Sequence, residues 1–375
     1  MKICVIGTRG IPNVLGGVET HCQHLYPYLA KQHGHDVTII ARSPYVDYEQ
    51  RIFEQVSLKT IWAPQKKSVE AILHSFLAAI KAKRLGADVV HVHAIGPGLL
   101  VPFCKFLGLK VVFTHHGPDY DRQKWGRSAK AVLKLGEKLA CKFADEVIVI
   151  SSVIGDLIKR KHGRQDTHLI HNGVESFDAL SIDSTPHLDR HHLVSGQYIV
   201  AVGRFVEEKG FTDLIHAYKK SDKKVPLVLV GDCDHETEYS ASLKQLSQET
   251  PGVVLTGFIS GNELKAVFSN AKAFVMSSYH EGLPIALLEA LSYSLDIVVS
   301  NIPANLEVNL PMDKYYAVGN IAELTNKING LMLSEYQTQD YSDYLTKYDW
   351  EQIAVQTDQV YAQALGQDET LAART

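Results

Sequence analysis

A chain of 375 residues with 45% hydrophobic and 21% charged residues has the composition of a soluble globular protein with room for two ordinary domains. Its five cysteines (Cys4, Cys22, Cys104, Cys141 and Cys233) are scattered and odd in number, which argues against a zinc or disulfide framework and implies a reducing cytosol. The net charge of −4 divides unevenly: residues 1–175 carry 24 Lys/Arg against 15 Asp/Glu, and residues 176–375 carry 14 against 27, as expected of two domains facing different partners.

The first strand-like run, Lys2–Gly7, begins at the N-terminus and leaves no room for a signal peptide. No apolar run approaches the ~20 residues that span a bilayer. Further short β-branched runs follow at Asp36–Ala41, Val89–His93, Lys110–Thr114 and Glu146–Ser151. In the second half they recur at Tyr198–Gly203, Val225–Gly231, Gly252–Leu255, Ala273–Met276 and Ile297–Ser300. Strands this short, alternating with amphipathic helical patterns, predict parallel sheets built from βαβ units. The polar stretch Ser176–Gly196 reads as a linker, and Asp349-Trp-Glu opens a last helical segment with no docking site legible. The expected domains are 1–178, a linker at 179–196, 197–348, and a helical segment at 349–375. Ligands of doubly wound folds bind beyond the carboxyl ends of the strands, and every unusual cluster in the chain falls just after one of these strands.

After the first strand, Gly7-Thr-Arg-Gly-Ile-Pro-Asn-Val-Leu-Gly16-Gly17-Val-Glu19 leads into a helix, whose N-terminal amides suit a phosphate or a sugar hydroxyl. It is not Gly-x-Gly-x-x-Gly, which disfavours an NAD-linked oxidoreductase. After the fourth strand come His115 and His116; neighbours on an extended backbone point opposite ways, so one is expected in the core and one facing the ligand. Arg127, Lys130, Lys134, Lys138 and Lys142 form a basic stripe on a predicted helix, with Ala131, Val132, Leu135 and Leu139 expected on the opposite side. The stripe is either a solvated face or a contact for anionic lipid.

In the second half, Gly203-Arg204 precedes Lys209-Gly210, where two cations near a helix start can neutralise a diphosphate, the alternative being ion pairs with Glu207 or Glu208. Glu281-Gly-Leu-Pro-Ile-Ala-Leu-Leu-Glu289 places two carboxylates across another helix start, with Pro284 suited to the first helical position. The surrounding residues are apolar, so Glu289 needs either protein donors or a polyhydroxylated ligand. Two Asp-x-Asp triplets, at Asp119 and Asp232, are more readily polar turns than metal sites. A pI near 6.5 without an aromatic-basic module disfavours nucleic acid.

The two glutamates at this spacing, Gly203-Arg204 with Lys209-Gly210, and Gly16-Gly17-Val-Glu19 together resemble the retaining family-4 glycosyltransferases of GT-B architecture over most of the chain. A narrower resemblance rests on Ile6-Gly7-Thr-Arg-Gly-Ile-Pro and Asp119-Tyr-Asp-Arg-Gln-Lys-Trp-Gly126. These are similar to a bacterial subgroup that includes rhamnosyltransferases of capsule and exopolysaccharide assembly, although Pro118-Asp-Tyr-Asp stands where that subgroup usually has Leu-Asp-Trp.

The resemblance implies an α/β fold of two Rossmann-like domains facing each other across a cleft. The nucleotide sugar would bind on the C-terminal domain and the acceptor on the N-terminal one. Arg204 and Lys209 would bind the diphosphate of a UDP- or dTDP-sugar, dTDP-rhamnose among the candidates. Glu281, with the amides beside Gly282 and Leu283, would hold the sugar, and Glu289 the ribose. Gly16, Gly17 and Gly203 would allow close backbone approach, and His116 would touch the transferred sugar. No metal or other cofactor is expected. The acceptor would be a lipid-linked saccharide, met by a cytoplasmic protein peripheral to the inner face of the membrane. The rival readings are a GT-B sugar-nucleotide epimerase and a non-catalytic sugar-nucleotide-binding subunit.

Overall fold

Among the described residues, twelve of the fourteen strands pair only in parallel; the other two are a two-residue edge strand and the neighbour it joins antiparallel. The computed structural model describes residues 1–14, 16–48, 51–64, 70–121, 126–175, 183–222, 225–233, 236–282, 284–333 and 338–367. The chain forms two units: residues 1–173 with 347–375, and residues 174–346.

The first unit holds β1 (Lys2–Ile6), β2 (Asp36–Arg42), β3 (Ile52–Phe53), β4 (Val56–Ile61), β5 (Val89–His93), β6 (Lys110–His115), β7 (Glu146–Val149) and β8 (His168–Leu169). Their order across the sheet is β3-β4-β2-β1-β5-β6-β7-β8. The central strands are Val/Ile-rich and buried nearly throughout, as a sheet covered on both faces requires. β3 and β4 lie outside the strands expected from sequence. β4 is only partly covered: Val56 and Leu58 face inward while Lys59 and Thr60 are exposed, so it lacks a continuous apolar run.

The second unit holds β9 (Ile199–Val202), β10 (Leu227–Val230), β11 (Val253–Gly257), β12 (Ala273–Met276), β13 (Asp296–Ser300) and β14 (Tyr315–Tyr316). They are ordered β11-β10-β9-β12-β13-β14, all parallel. Each sheet is wound outward in both directions from its first strand, so the order turns over beside β1 in one unit and beside β9 in the other. The first unit's sheet is wound from β1 towards β2 and β4 on one side and towards β5–β8 on the other. The described part of the expected linker carries a short helix, Thr185–Arg190, followed by His191; Arg190 and His191 both bond Glu263 of the second unit.

The last helix, Trp350–Ala364, starts where Asp349 accepts a bond from the Gln352 amide at 3.0 Å. It belongs to the first unit and adds Trp350, Ile353, Ala354, Val360 and Tyr361 to that unit's core. The helix carrying the basic stripe, Arg127–Phe143, corrects the expected arrangement. Ala131, Val132 and Leu135 are exposed, and the helix is instead seated through Gly136, Glu137, Ala140 and Cys141. The small residues win because they permit a close approach: a Cβ on Gly136 would stand 2.2 Å from the Ile95 carbonyl oxygen. All five cysteines are free, and no described helix is long and apolar enough to cross a membrane.

Candidate functional site

In the second unit the sheet order turns over between β9 and β12, and the loops leaving these two strands carry Gly203, Arg204, Lys209, Glu281 and Gly282. The β9 loop ends in a 3-10 turn, Glu207–Lys209, and at Gly210 the backbone turns left-handed (φ 63°) before the helix Phe211–Lys220. A Cβ on Gly210 would come within 2.2 Å of the Ser277 carbonyl oxygen, so the two loops touch backbone to backbone. They are also bonded, Tyr279 N–H to the Glu208 carbonyl at 2.8 Å and Ser277 Oγ to the Lys209 carbonyl at 2.9 Å.

Gly203 leaves room for the lysine stem: a Cβ there would stand 3.2 Å from Lys209 Cε. The stem folds back over the strand end, and Nζ reaches Glu281 Oε1 at 2.6 Å. The lysine is therefore paired across the loops with Glu281, rather than with the neighbouring Glu207 or Glu208. Ser278 Oγ donates to the same carboxylate oxygen at 2.6 Å. Ser300 Oγ, at the end of β13, holds the Ser278 carbonyl at 2.6 Å, and Asn305 Nδ2 holds the Ser300 carbonyl at 2.9 Å. Three strand ends thus position one ion pair that is about four-fifths buried.

Arg204 lies part-buried at the carboxyl end of β9. Glu289 is the fifth residue of the helix Ile285–Ser292, part-exposed among the buried Leu287, Leu288, Ala290 and Leu291. Burial, and next the Glu289 carboxylate one turn away, push the Tyr293 phenol well above its usual range. Pro284 is the N-cap, with extended backbone, and not the first helical residue as expected; its carbonyl accepts the amides of Leu287 and Leu288. Leu283 lies outside the described residues. The structure brings Lys209 and Glu281 into contact, and sets Arg204 on the lysine's loop and Glu289 on the helix that follows Glu281.

In the first unit, Gly16 caps the helix Gly17–His33 with φ 148°. A Cβ on Gly16 would meet Glu19 Oε2 at 2.1 Å, because the buried Glu19 carboxylate turns back to accept the Arg9 amide at 2.9 Å and so clamps the loop. The space over Gly17 is open: a Cβ there would meet nothing within 4 Å. His115 and His116 diverge at the end of β6. His115 is fully buried, with Nε2 on Glu137 at 2.9 Å and Nδ1 accepting the Gly117 amide at 3.1 Å. His116 goes the other way, its Nε2 2.8 Å from His93 Nδ1. Burial, followed by repulsion from His21, His91 and His115, holds His116 far below the ordinary histidine range, so its ring is neutral.

Several of these groups carry no motif. His91 and His93 alternate along β5, share one face by the two-residue period of a strand, and stack at 4.2 Å. Their polar chain runs from Thr114 Oγ1 through His91 and the Tyr26 and Tyr361 hydroxyls to His93 and His116. Glu137 is a second buried hub, accepting from His115, Tyr120 and His162. Repeated histidines at a strand's carboxyl end, and serines closing β12 and β13, were the available signals. Of the Asp-x-Asp triplets, Asp232 accepts from Lys244 Nζ at 2.9 Å; Asp234 and the Asp121 side chain lie outside the described residues.

Residues 15–176 match the model of Glycosyltransferase Family 4, and residues 190–348 that of Glycosyl transferases group 1. The chain is 24% identical, over 78% of its length and 68% of the relative's, to the putative teichuronic acid biosynthesis glycosyltransferase TuaC of Bacillus subtilis. It is 25% identical, over 78% of its length and 77% of the relative's, to a GDP-mannose:cellobiosyl-diphosphopolyprenol alpha-mannosyltransferase of Xanthomonas oryzae. Among solved structures, sucrose-phosphate synthase from Thermosynechococcus elongatus superposes with a TM-score of 0.79 at 21% identity, covering 97% of this chain and 99% of that one. Anabaena HepE in complex with UDP-glucose superposes at 0.72 and 16% identity, covering 100% and 99%. With one family model on each half and this fold beneath both, the chain belongs to the glycosyltransferases of GT-B fold, a Family 4 domain followed by a group 1 domain.

Proposed function

We propose that the chain transfers a sugar, with retention of configuration, from a uridine or thymidine diphosphate donor to a lipid-linked saccharide in bacterial surface-polysaccharide assembly. The observation that carries this reading is the Lys209–Glu281 pair, a cation and an acid preorganised by three strand ends where such sheets bind ligands. The ammonium has three N–H donors, and Glu281 takes one. The others, with Arg204, meet the diphosphate and stabilise the charge that grows on it as the anomeric C–O bond breaks. Two fixed cations supply that stabilisation without a metal.

In this reading Glu281, with the Gly282 and Leu283 amides, holds the donor-sugar hydroxyls, and Glu289 accepts from the ribose. Gly16 and the open space over Gly17 admit the phosphate or sugar, and His116 touches the transferred sugar near the anomeric centre. A donor phosphate oxygen takes the acceptor hydroxyl's proton on the same face, which retains configuration. HepE, of like fold, is a UDP-glucose complex, and the two relatives are named for teichuronic acid synthesis and for a polyprenol-diphosphate acceptor.

A lipid-linked acceptor also fits the helix Arg127–Phe143, which exposes Lys134, Lys138 and Lys142 beside Val132, Leu135 and Phe143. Cations next to apolar side chains suit a peripheral position on an anionic leaflet.

A thermal-shift panel of nucleotide sugars identifies the donor by mass action. Lys209→Ala and Arg204→Ala should each lower turnover by about 10²–10³-fold with the fold intact; near-normal turnover in both would reject the diphosphate role. Glu281→Ala should impair transfer more than nucleotide affinity, and Glu289→Ala the reverse, as calorimetry with free nucleoside diphosphate reads. Co-sedimentation with anionic but not neutral vesicles tests the membrane contact, and equal recovery with both would remove it.

A further inference from the structure

We propose that the first unit binds one first-row transition ion of the class represented by Zn²⁺, through ring nitrogens of His21, His93 and His116. One nitrogen from each ring lies within 4.8 Å of the other two. The three residues come from separate elements (the helix Gly17–His33, the end of β5 and the turn after β6), so folding alone assembles them.

His21 Nδ1 is buried without a hydrogen bond of ordinary geometry among the described residues, the Asn172 side chain being the polar group that acts on the ring. A buried nitrogen without a well-formed bond is uncommon and costly, and coordination to a metal removes the cost. His93 Nδ1 and His116 Nε2 are 2.8 Å apart, sharing one hydrogen bond. Two nitrogens on a tetrahedral zinc, each bonded at about 2.0–2.1 Å, stand about 3.3 Å apart. Replacing the hydrogen bond by two metal bonds therefore needs the rings to part by about half an ångström.

The outer contacts suit the exchange. The Tyr26 hydroxyl holds His93 Nε2 at 2.5 Å and so presents Nδ1 as the ligand atom. Burial favours the neutral form of all three rings, which is the form that binds metal. The proton of the shared His93–His116 hydrogen bond, whichever ring carries it, must leave that nitrogen as the ion binds. The edge of Trp350 lies against the His21 ring, and three nitrogen ligands leave a fourth position for water. This ion takes no part in the leaving-group chemistry proposed above, and its binding is read without turnover.

The full chain, stripped by a chelator, is titrated with Zn²⁺ against a chromophoric chelator, and crystals are soaked in Zn²⁺ for anomalous scattering. One ion per chain, with an anomalous peak about 2.1 Å from the three nitrogens, is the expected result. Loss of an outer-shell partner costs about 10–100-fold in affinity, so His21→Ala and His116→Gln should each exceed 100-fold. His162→Gln, on the separate Glu137 hub, should leave the affinity unchanged. Unaltered affinity in His21→Ala, or a peak at other histidines or none, overturns the proposal. Should a variant lose its circular dichroism signal, the soaked wild-type crystal decides alone.

Discussion

At the residue scale, the second unit's site depends on a few contacts that fix a cation and an acid before any ligand arrives. Gly210 is one of them. An L side chain there faces left-handed backbone, at about 1–2 kcal/mol, and a carbonyl oxygen where its Cβ must go. Gly210→Ala should therefore destabilise the second unit by at least that amount and part the two loops, as urea denaturation would measure. Ser278→Ala is the milder probe. It removes one charge-assisted bond from Glu281 and leaves Lys209 in place, so transfer should fall about tenfold with nucleotide affinity unchanged. The motifs made Lys209 and Glu281 visible in the sequence. That they are each other's partner was not visible, because 72 positions separate them and only sheet topology closes that distance.

At the scale of elements, the helix Arg127–Phe143 is tied to β6 through Glu137, whose carboxylate takes bonds from His115, Tyr120 and His162. Burial by itself would raise this carboxyl, but the bonds from His115 and His162 outweigh it and hold it down to about 2, against an ordinary value of 4.5. A depressed folded-state value stabilises the fold wherever the unfolded carboxyl is ionised. The contribution is thus whole above about pH 4.5 and is lost as pH falls towards 2. In acid titrations followed by circular dichroism, wild-type stability should drop across that window, and Glu137→Gln should be less stable at neutral pH with a flatter profile. The stripe's cations follow helical spacing and were legible. The seating of the helix was not, since tight contact at Gly136 and Ala140 outweighs the larger but exposed Val132 and Leu135.

At the scale of the whole molecule, the chain leaves its first unit at residue 173 and returns to it at 347. Trp350 is 2% exposed and presses on Gly173, where a Cβ would lie 2.4 Å from the indole. Trp350→Ala should cost about 3–5 kcal/mol. Removing residues 347–375 should lower the first unit's calorimetric transition, because Ile353, Val360 and Tyr361 leave its core, while the second unit's transition stays in place. Loss of the second transition instead would show that the closing helix serves the other unit.

The alternation of short apolar strands with amphipathic helices was readable from local order, because both periods are set within a few residues. Ten of the fourteen strands among the described residues could be placed from those patterns. The two-residue edge strands β3, β8 and β14 are too short to carry a period, and β4 carries it on one face alone. The glycine turns and the carboxylates across a helix start were also readable, since their chemistry depends on neighbours in the chain. The histidine cluster of the first unit, the pairing of Lys209 with Glu281 and the docking of the last helix all join residues far apart in sequence. Such contacts arise when parallel strands bring their carboxyl ends to one edge, and no local pattern records which side chains will meet there.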